Sequence, residues 1–268
     1  QFTLIMVKEI YEKLPYLTSI ICIDGDYSEQ NIFNFKKLLE KASNFYETKK
    51  TKSSDPAIII YTSGTTGGPK GALLPHRVLL GHIPGVEMPH EFLSSSEPVQ
   101  DIFWTPADWA WIGGLFDVLL PAWHFGLSVV SYRGKKFDPE FAFYLLSKFN
   151  IKNTFLPPTA LKMMKSYNSS KRLDNLNLRT VGSGGEALGE DLLEWGKDIL
   201  GVGINEFYGQ TECNLTISNN GAIMPTKQGS IGKPVPGHLV RLMDKNNQFI
   251  IKPGYDGEIV VKYDTPVA

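Results

Sequence analysis

Thr62-Ser63-Gly64-Thr65-Thr66-Gly67-Gly68-Pro69-Lys70-Gly71 directly follows the apolar run Ala57-Ile58-Ile59-Ile60-Tyr61. A β-branched run reads as a buried strand, and this one empties into small residues, hydroxyls and a single cation. Glycines let backbone N–H groups turn toward an anion with no Cβ in the way, and Lys70 adds a point charge. The stretch predicts a polyphosphate cradle at a strand end. It differs from a Walker A loop, which needs Gly-Lys-Ser/Thr so that a hydroxyl reaches magnesium as the next helix starts. Here Pro69 precedes Lys70 and Gly71 follows it. A metal ligand must therefore come from elsewhere, and a kinase or GTPase built on a P-loop is disfavoured. A solvated Gly/Ser/Thr linker is the competing reading, but linkers seldom follow a buried strand immediately.

Outward from this loop the chain alternates strand and helix. Toward the N-terminus, an amphipathic helix (Ile5 to Leu14), a strand (Ser19 to Ile23), the Asp24-Gly25-Asp26 turn and a lysine-rich helix (about Asn31 to Glu47) are expected. After the loop a helix opens at Pro75, which suits a first-turn position. Leu127 to Tyr132 reads as a strand, and Asp138-Pro139 caps and starts a helix with Phe141, Tyr144, Leu145 and Phe149 at helical spacing. Strand, helix and strand follow at Asn153 to Leu156, Thr159 to Tyr167 and Leu178 to Val181. Such alternation predicts an α/β fold, a mostly parallel sheet flanked by helices, with ligands at the carboxyl ends of strands. Gly229 to Gly237 is rich in turn residues. His238 to Met243 and Gly257 to Lys262 then alternate around Asn246-Asn247 as a hairpin does. Residues 1–225 are thus expected to form part of an α/β domain, and 226–268 the start of a small antiparallel β subdomain.

Of 268 residues 42% are hydrophobic and 21% charged, with a formal net charge of -1, the profile of a soluble globular protein. Near-neutral charge argues against nucleic acid as the main partner. Cys22 and Cys213 are too few and too separated for a disulfide framework or a thiolate metal site, and the five histidines show no paired ligand spacing. No run approaches the roughly 18 apolar residues of a membrane span. A cytoplasmic location is the expectation. The chain lacks an initiator Met and stops just after a strand, so both ends read as cut from a longer enzyme.

Further segments carry chemistry. In Phe207-Tyr208-Gly209-Gln210-Thr211-Glu212 the aromatic can stack on a nucleobase, the threonine can hold an α-phosphate and the carboxylate can hold magnesium. Gly182-Ser183-Gly184-Gly185-Glu186-Ala187-Leu188 presents bare backbone against which a flat ligand can lie, though a plain strand-to-helix turn gives the same pattern. Trp104-Thr105-Pro106-Ala107-Asp108-Trp109-Ala110-Trp111-Ile112-Gly113-Gly114-Leu115 holds three tryptophans in eight residues, a density that core packing alone would also explain.

The phosphate-loop string resembles the signature of the adenylate-forming superfamily, which includes acyl-CoA synthetases, luciferases and peptide-synthetase adenylation domains. Phe207 to Glu212 matches that family's Tyr-Gly-x-Thr-Glu element. Gly184 to Ala187 is similar to its Gly-Glu element, with Ala187 where proline is common. Trp104 to Leu115 resembles the acyl-pocket segment of the acetyl- and medium-chain acyl-CoA synthetases, and Gly229 to Gly237 resembles the family's connector. The resemblance covers essentially the whole chain.

It implies a set of roles. Thr62, Ser63, Gly64, Thr65, Thr66, Gly67, Gly68, Pro69 and Lys70 hold the β- and γ-phosphates of ATP. Gly185, Glu186 and Ala187 line the adenine, together with the strand from Glu206 and Phe207 to Tyr208, Gly209 and Gln210; Tyr208 stacks on it. Thr211 binds the α-phosphate and Glu212 ligates Mg²⁺. Lys70, Thr211 and Glu212 are the candidate catalytic residues, and Trp111, Ile112, Gly113, Gly184 and Gly209 line the acid. The implied partners are a small carboxylic acid, ATP and coenzyme A. The family's ribose-binding Asp and late catalytic Lys, the latter in a mobile C-terminal domain, lie beyond Ala268.

Family members restricted to acetate carry tryptophan at the position of Gly209, and tend toward Thr at Gly113 and Val at Gly184. Glycine at all three implies room for several methylenes, each worth about 0.8 kcal/mol when buried. A medium-chain, branched or aryl acid follows. An amino-acid or aryl-acid adenylation domain shares the ATP motifs, but a pocket for an amino acid needs an acid to pair the ammonium, and none lies between Trp109 and Phe116. A non-catalytic ATP-binding fragment is the remaining alternative.

Overall fold

Parallel pairing, the expectation drawn from strand–helix alternation, governs the middle of the molecule. A computed structural model describes residues 2–27, 29–62, 68–93, 101–132, 134, 136–168, 173 and 175–262. The chain divides into two units, 1–51 and 52–268.

In the first unit the helix Phe2–Ile10 runs into one 3₁₀ turn, Tyr11–Lys13. Strand β1 (Ile20–Cys22) pairs in parallel with β2 (Ile32–Asn34). The expected helix from Asn31 to Glu47 is shorter, Phe35–Lys41, because Ile32–Asn34 joins the ladder instead. Asn34 then caps it, its side-chain oxygen accepting from Lys37 N at 2.9 Å.

The second unit opens with β3 (Pro56–Thr62) and β4 (Lys70–Pro75), an antiparallel pair with Thr62 opposite Lys70. Here the sequence reading is corrected. Pro75 ends a strand rather than opening a helix, and the helical turns begin at Val78–Gly81 and Ile83–Glu87. Nor is β3 buried throughout: Ile60 and Leu74 are buried while Ile59, Tyr61 and Leu73 are exposed, the period-2 signature of a hairpin with one packed face. The buried face joins Ile112 and Phe116 in a small cluster.

The main sheet has seven strands: β5 (Ile102–Trp104), β6 (Ser128–Val129), β7 (Asn153–Phe155), β8 (Thr180–Gly184), β9 (Ile204–Gln210), β10 (Asn214–Ser218) and β11 (Lys233–Pro234). In the order β11-β10-β9-β8-β7-β5-β6, the run from β9 to β6 is parallel, and β10 and β11 are antiparallel additions. Side chains alternate across it. Trp104, Val181 and Ile204 pack with Leu146, Leu161, Met164 and Leu192 from the helices Pro139–Lys148, Pro158–Tyr167 and Glu190–Trp195. Phe103, Phe155 and Phe207 pack on the other face with Val86, Val118 and Leu215. Helices on both faces make this the α/β arrangement expected.

The Pro139–Lys148 helix starts as read, Asp138 Oδ1 accepting from Glu140 N and Phe141 N. Its buried residues are Ala142, Phe143, Leu145 and Leu146, so the expected stripe is corrected. Tyr144 and Phe149 lie outside, where Lys148 Nζ sits 5.1 Å and 5.9 Å from their rings. A third sheet holds β12 (Val240–Met243), β13 (Phe249–Ile250) and β14 (Glu258–Val261), ordered β13-β12-β14. The turn at Asn246-Asn247 joins β12 to β13, and the segment expected as its hairpin partner, β14, pairs on the other edge of β12.

Candidate functional site

Three elements converge at the carboxyl ends of β7, β8 and β9. The first is a helical run of three pieces, Ile112–Gly114, Leu115–Leu119 and Leu120–His124, whose middle piece is a π-turn. Pro121 explains the widening. It has no N–H to give the Asp117 carbonyl and its ring crowds that carbonyl, so the helix relaxes to an i−5 bond from Leu120 N to Leu115 O. Asp117 sits within this turn and is buried.

The second element is the end of β8. The segment read from sequence as a strand ending at Val181 continues through Gly182, Ser183 and Gly184, all buried, because glycine admits rings against the backbone. A Cβ at Gly184 would lie 2.4 Å from Phe207 Cε2, and one at Gly182 would lie 3.1 Å from His90 Cε1. Gly185 then turns with φ +95°, and the backbone from Gly185 to Ala187 is exposed as a ledge. Glu186 is anchored to it, its carboxylate accepting from Thr159 Oγ1 at 3.1 Å with Lys162 Nζ at 4.0 Å. Glu206, on β9, lies beneath: burial raises its pKa, and the Leu188 N–H it accepts at 3.0 Å offsets part of that. It therefore braces the ledge.

The third element is the β9–β10 hairpin. Thr211, Glu212 and Cys213 form the turn, Gln210 faces Asn214, and Asn214 takes φ 51°, a conformation asparagine tolerates. Gly209 is where the strands close. A Cβ there would stand 1.9 Å from the Asn214 carbonyl oxygen, so no other residue fits this backbone.

Between these elements lies a cavity of about 180 Å³. Trp111, Ile112, Phe155, Phe207 and Leu215 supply its apolar wall, Gly184, Gly185 and Gly209 its bare backbone, and Asp117, Asn214, Gln210 and Thr211 its polar groups. Of the residues the sequence reading placed in the site, Trp111, Ile112, Gly184, Gly185, Phe207, Gly209, Gln210 and Thr211 line this cavity. Gly113 is buried but does not line the cavity. Tyr208 is half-buried and Glu212 exposed, both outside that lining. Gly68, Pro69 and Lys70 are exposed at the mouth of the β3–β4 hairpin, and the intervening Ser63, Gly64, Thr65, Thr66 and Gly67 lie outside the described residues.

Gly184 and Gly209 line the cavity, but the Cβ direction at the glycines is already occupied: a Cβ at Gly113 would lie 2.7 Å from Trp111 Cζ3 and 2.9 Å from Phe155 Cε1, and Phe207 fills the space beside Gly184. Aromatic rings and a hairpin backbone occupy what larger side chains would have taken. Asp117, Phe155, Asn214 and Leu215 were missed. Asp117 lies one residue beyond the Trp109-to-Phe116 stretch. Burial pushes its carboxyl up to about 8, with the nearby Asn214 side chain pulling partly the other way.

Among the described residues no group of three or more His, Cys, Asp or Glu is placed to hold a metal ion, and no helix is long and apolar enough to cross a membrane. Gly185 of the exposed ledge and Thr211 of the hairpin turn line the same cavity, and the exposed Glu212 beside Thr211 is the carboxylate available there to a divalent ion.

Comparison with known proteins agrees with this geometry. The human mitochondrial acyl-coenzyme A synthetase ACSM5 is 31% identical over 96% of this chain and 43% of its own length. The chain thus spans less than half of that relative. Among solved structures, the anthranilate CoA ligase AuaEII in complex with anthranoyl-AMP superposes with a TM-score of 0.84 at 26% identity, covering 99% of this chain and 50% of that one. ATP-bound MatB from Rhodopseudomonas palustris superposes at 0.74 with 25% identity, covering 85% and 43%. The model for AMP-binding enzymes matches residues 2–266. With the motif-bearing turns assembled around one cavity on an adenylate-forming fold, the chain belongs to the AMP-binding enzyme family.

Proposed function

We propose that the full-length protein activates a carboxylic acid with ATP and transfers the acyl group to coenzyme A. The observation that carries this reading is the cavity whose lining includes Thr211 and Gly185, so that an acid bound inside would adjoin a nucleotide on the ledge. The acid's carboxylate oxygen forms a bond to the α-phosphorus as the bond to pyrophosphate breaks. The thiolate sulfur of coenzyme A, its proton given up, then bonds to the acyl carbon and AMP leaves. Little covalent work falls to the protein, and positioning and charge neutralisation do most of it.

In this reading Tyr208 stacks on adenine and Thr211 binds the α-phosphate. The loop from Thr62 to Lys70 holds the β- and γ-phosphates. Glu212 would hold Mg²⁺ together with the phosphates, and the ion supplies charge neutralisation to the leaving pyrophosphate. A cavity of about 180 Å³ is close to the roughly 150 Å³ that admits benzene. With Trp111, Phe155 and Phe207 in its wall, it favours an aryl or short branched acid over a long chain.

The test is acid-dependent pyrophosphate exchange in the full-length enzyme, followed by thioester formation. Lys70→Ala should slow adenylate formation about 10- to 100-fold, the loss of one charge-assisted contact of roughly 1.5–3 kcal/mol. The second half reaction, which produces no pyrophosphate, should slow less. Equal slowing of both would remove Lys70 from the first, and exchange with no acid would refute the function.

A further inference from the structure

The ledge from Gly185 to Ala187 has little backbone structure of its own. Its residues are exposed, and among the described residues neither Glu186 nor Ala187 takes part in a backbone hydrogen bond. Side chains from the neighbouring strand and helix hold it instead. β7 and β8 are laced at their ends: Leu156 N donates to the Gly182 carbonyl at 3.0 Å, and the buried Ser183 hydroxyl donates to the Leu156 carbonyl at 2.8 Å. Those two bonds fix where the helix Pro158–Tyr167 begins. From its first turn Thr159 Oγ1 donates to Glu186 Oε1 at 3.1 Å, and Lys162, on the same face, stands 4.0 Å from Oε2. No side chain caps this helix at Pro157, so its first turn also favours the carboxylate. Lys162 and Glu186 are both exposed, and a pair of that kind contributes little. The Thr159 hydroxyl is the short, directed contact.

Resting on the acid-activating reading above, we propose that Thr159 is a positioning residue for the nucleotide: its hydroxyl holds Glu186 and so sets the height of the ledge on which adenine lies. Thr159 lies outside the cavity lining and outside the glycine-rich and aromatic motifs of the sequence. A flat base gains most from a surface already in place, because ordering a backbone during binding subtracts from affinity. Thr159→Val keeps the branched shape and removes the donor. The ledge then loses its outer anchor, while the inner one, Leu188 N on Glu206, remains. The loss falls on nucleotide affinity and spares the acid and the chemical step.

The experiment measures AMP and ATP binding by calorimetry, and steady-state pyrophosphate exchange, in the full-length enzyme. Thr159→Val should weaken both nucleotides about five- to tenfold and raise the KM for ATP to match, with kcat and the KM for the acid within about twofold of the wild type. Thr159→Ser keeps the hydroxyl and should restore binding. Glu186→Ala should weaken binding by a similar factor, and adding Thr159→Val to it should cost nothing more, because the two side chains act as one unit. Unchanged nucleotide binding in Thr159→Val would overturn the proposal. So would equal losses in Thr159→Ser and Thr159→Val, additive losses in the double variant, or a fall in kcat at unaltered nucleotide affinity. Calorimetric binding needs no turnover, so exchange with no acid would overturn the acid-activating reading while the binding measurements still decide the role of Thr159.

Discussion

Asp101 and Asp117 are both buried, at opposite ends of the same parallel strands, and their surroundings differ in kind. Asp101 sits where β5 begins. Its Oδ2 accepts from Asn153 Nδ2 at 2.8 Å and from Arg179 Nε at 3.0 Å. Arg179 Nη1 and Nη2 donate to the carbonyls of Glu91 and His90. Thr180 Oγ1 donates to Asn153 Oδ1 at 2.7 Å, so its contact with His90 Nδ1 at 3.0 Å must be a bond donated by the ring. That places a proton on Nδ1, and burial, aided by the Arg179 charge, lowers the His90 pKa to about 3, so the ring is neutral at ordinary pH. Every polar group named in this cluster has a partner. At the carboxyl ends Asp117 lines a cavity with the Asn214 side chain beside it, and no cation pairs with it among the described residues. One end of the sheet uses buried polarity to hold β5, β7 and β8 in place; the other buries a carboxyl without a cation in the wall of a cavity.

The largest effect should come from breaking the satisfied end. Arg179→Ala leaves the Asp101 carboxylate without its cation and two carbonyls without donors, at a cost of about 3 kcal/mol. Denaturant unfolding of the full-length enzyme measures it, and a loss below about 1 kcal/mol would show the cluster to be incidental.

The opposite end should respond in the opposite sense at high pH. Because the folded-state pKa of Asp117 is raised to about 8 from an ordinary 3.8, the folded state binds this proton more tightly than the unfolded chain. The resulting stability is fully present below about pH 4 and is lost as the pH climbs to about 8. Asp117→Asn removes that dependence. Relative to the wild type, the variant should gain at least about 2 kcal/mol in stability between pH 5 and pH 8.5. A constant difference across that range would mean that the carboxyl is ionised in the fold.

A smaller effect is expected at Gly209. Its replacement by Ala pushes a methyl into the Asn214 carbonyl and forces the β9–β10 hairpin apart, a strain of about 1–2 kcal/mol. Adenylation should fall with it, because Thr211 and Glu212 ride on the displaced turn. Unimpaired adenylation by Gly209→Ala would show that the site end yields where the Asp101 end does not.

Much of the architecture was legible because its signals are local. The β-branched run at Ile58 to Ile60, the Asp138-Pro139 helix start and the motif from Phe207 to Glu212 each declare themselves within a few neighbours. Boundaries failed where a competing pairing won. Lys70 to Pro75 is too short and too rich in Gly and Ala to show a period, so only its ladder with β3 identifies it as a strand. Tyr144 and Phe149 look like core residues on a helical wheel, yet the sheet meets the face carrying Ala142, Phe143 and Leu146 instead.

By itself the sequence determined the alternation of strand and helix, the motif that carries Thr211 and Glu212, and the absence of a Walker A loop, since each depends on residues adjacent in the chain. The tertiary structure alone decided what the three glycines accommodate and where Asp117 points its chemistry. Phe155 and Phe207 reach Gly113 and Gly184 from other strands, and Asn214 comes to Asp117 across the sheet. The character of a cavity belongs to the side chains that packing brings together, and no local pattern of hydropathy encodes which of them will meet.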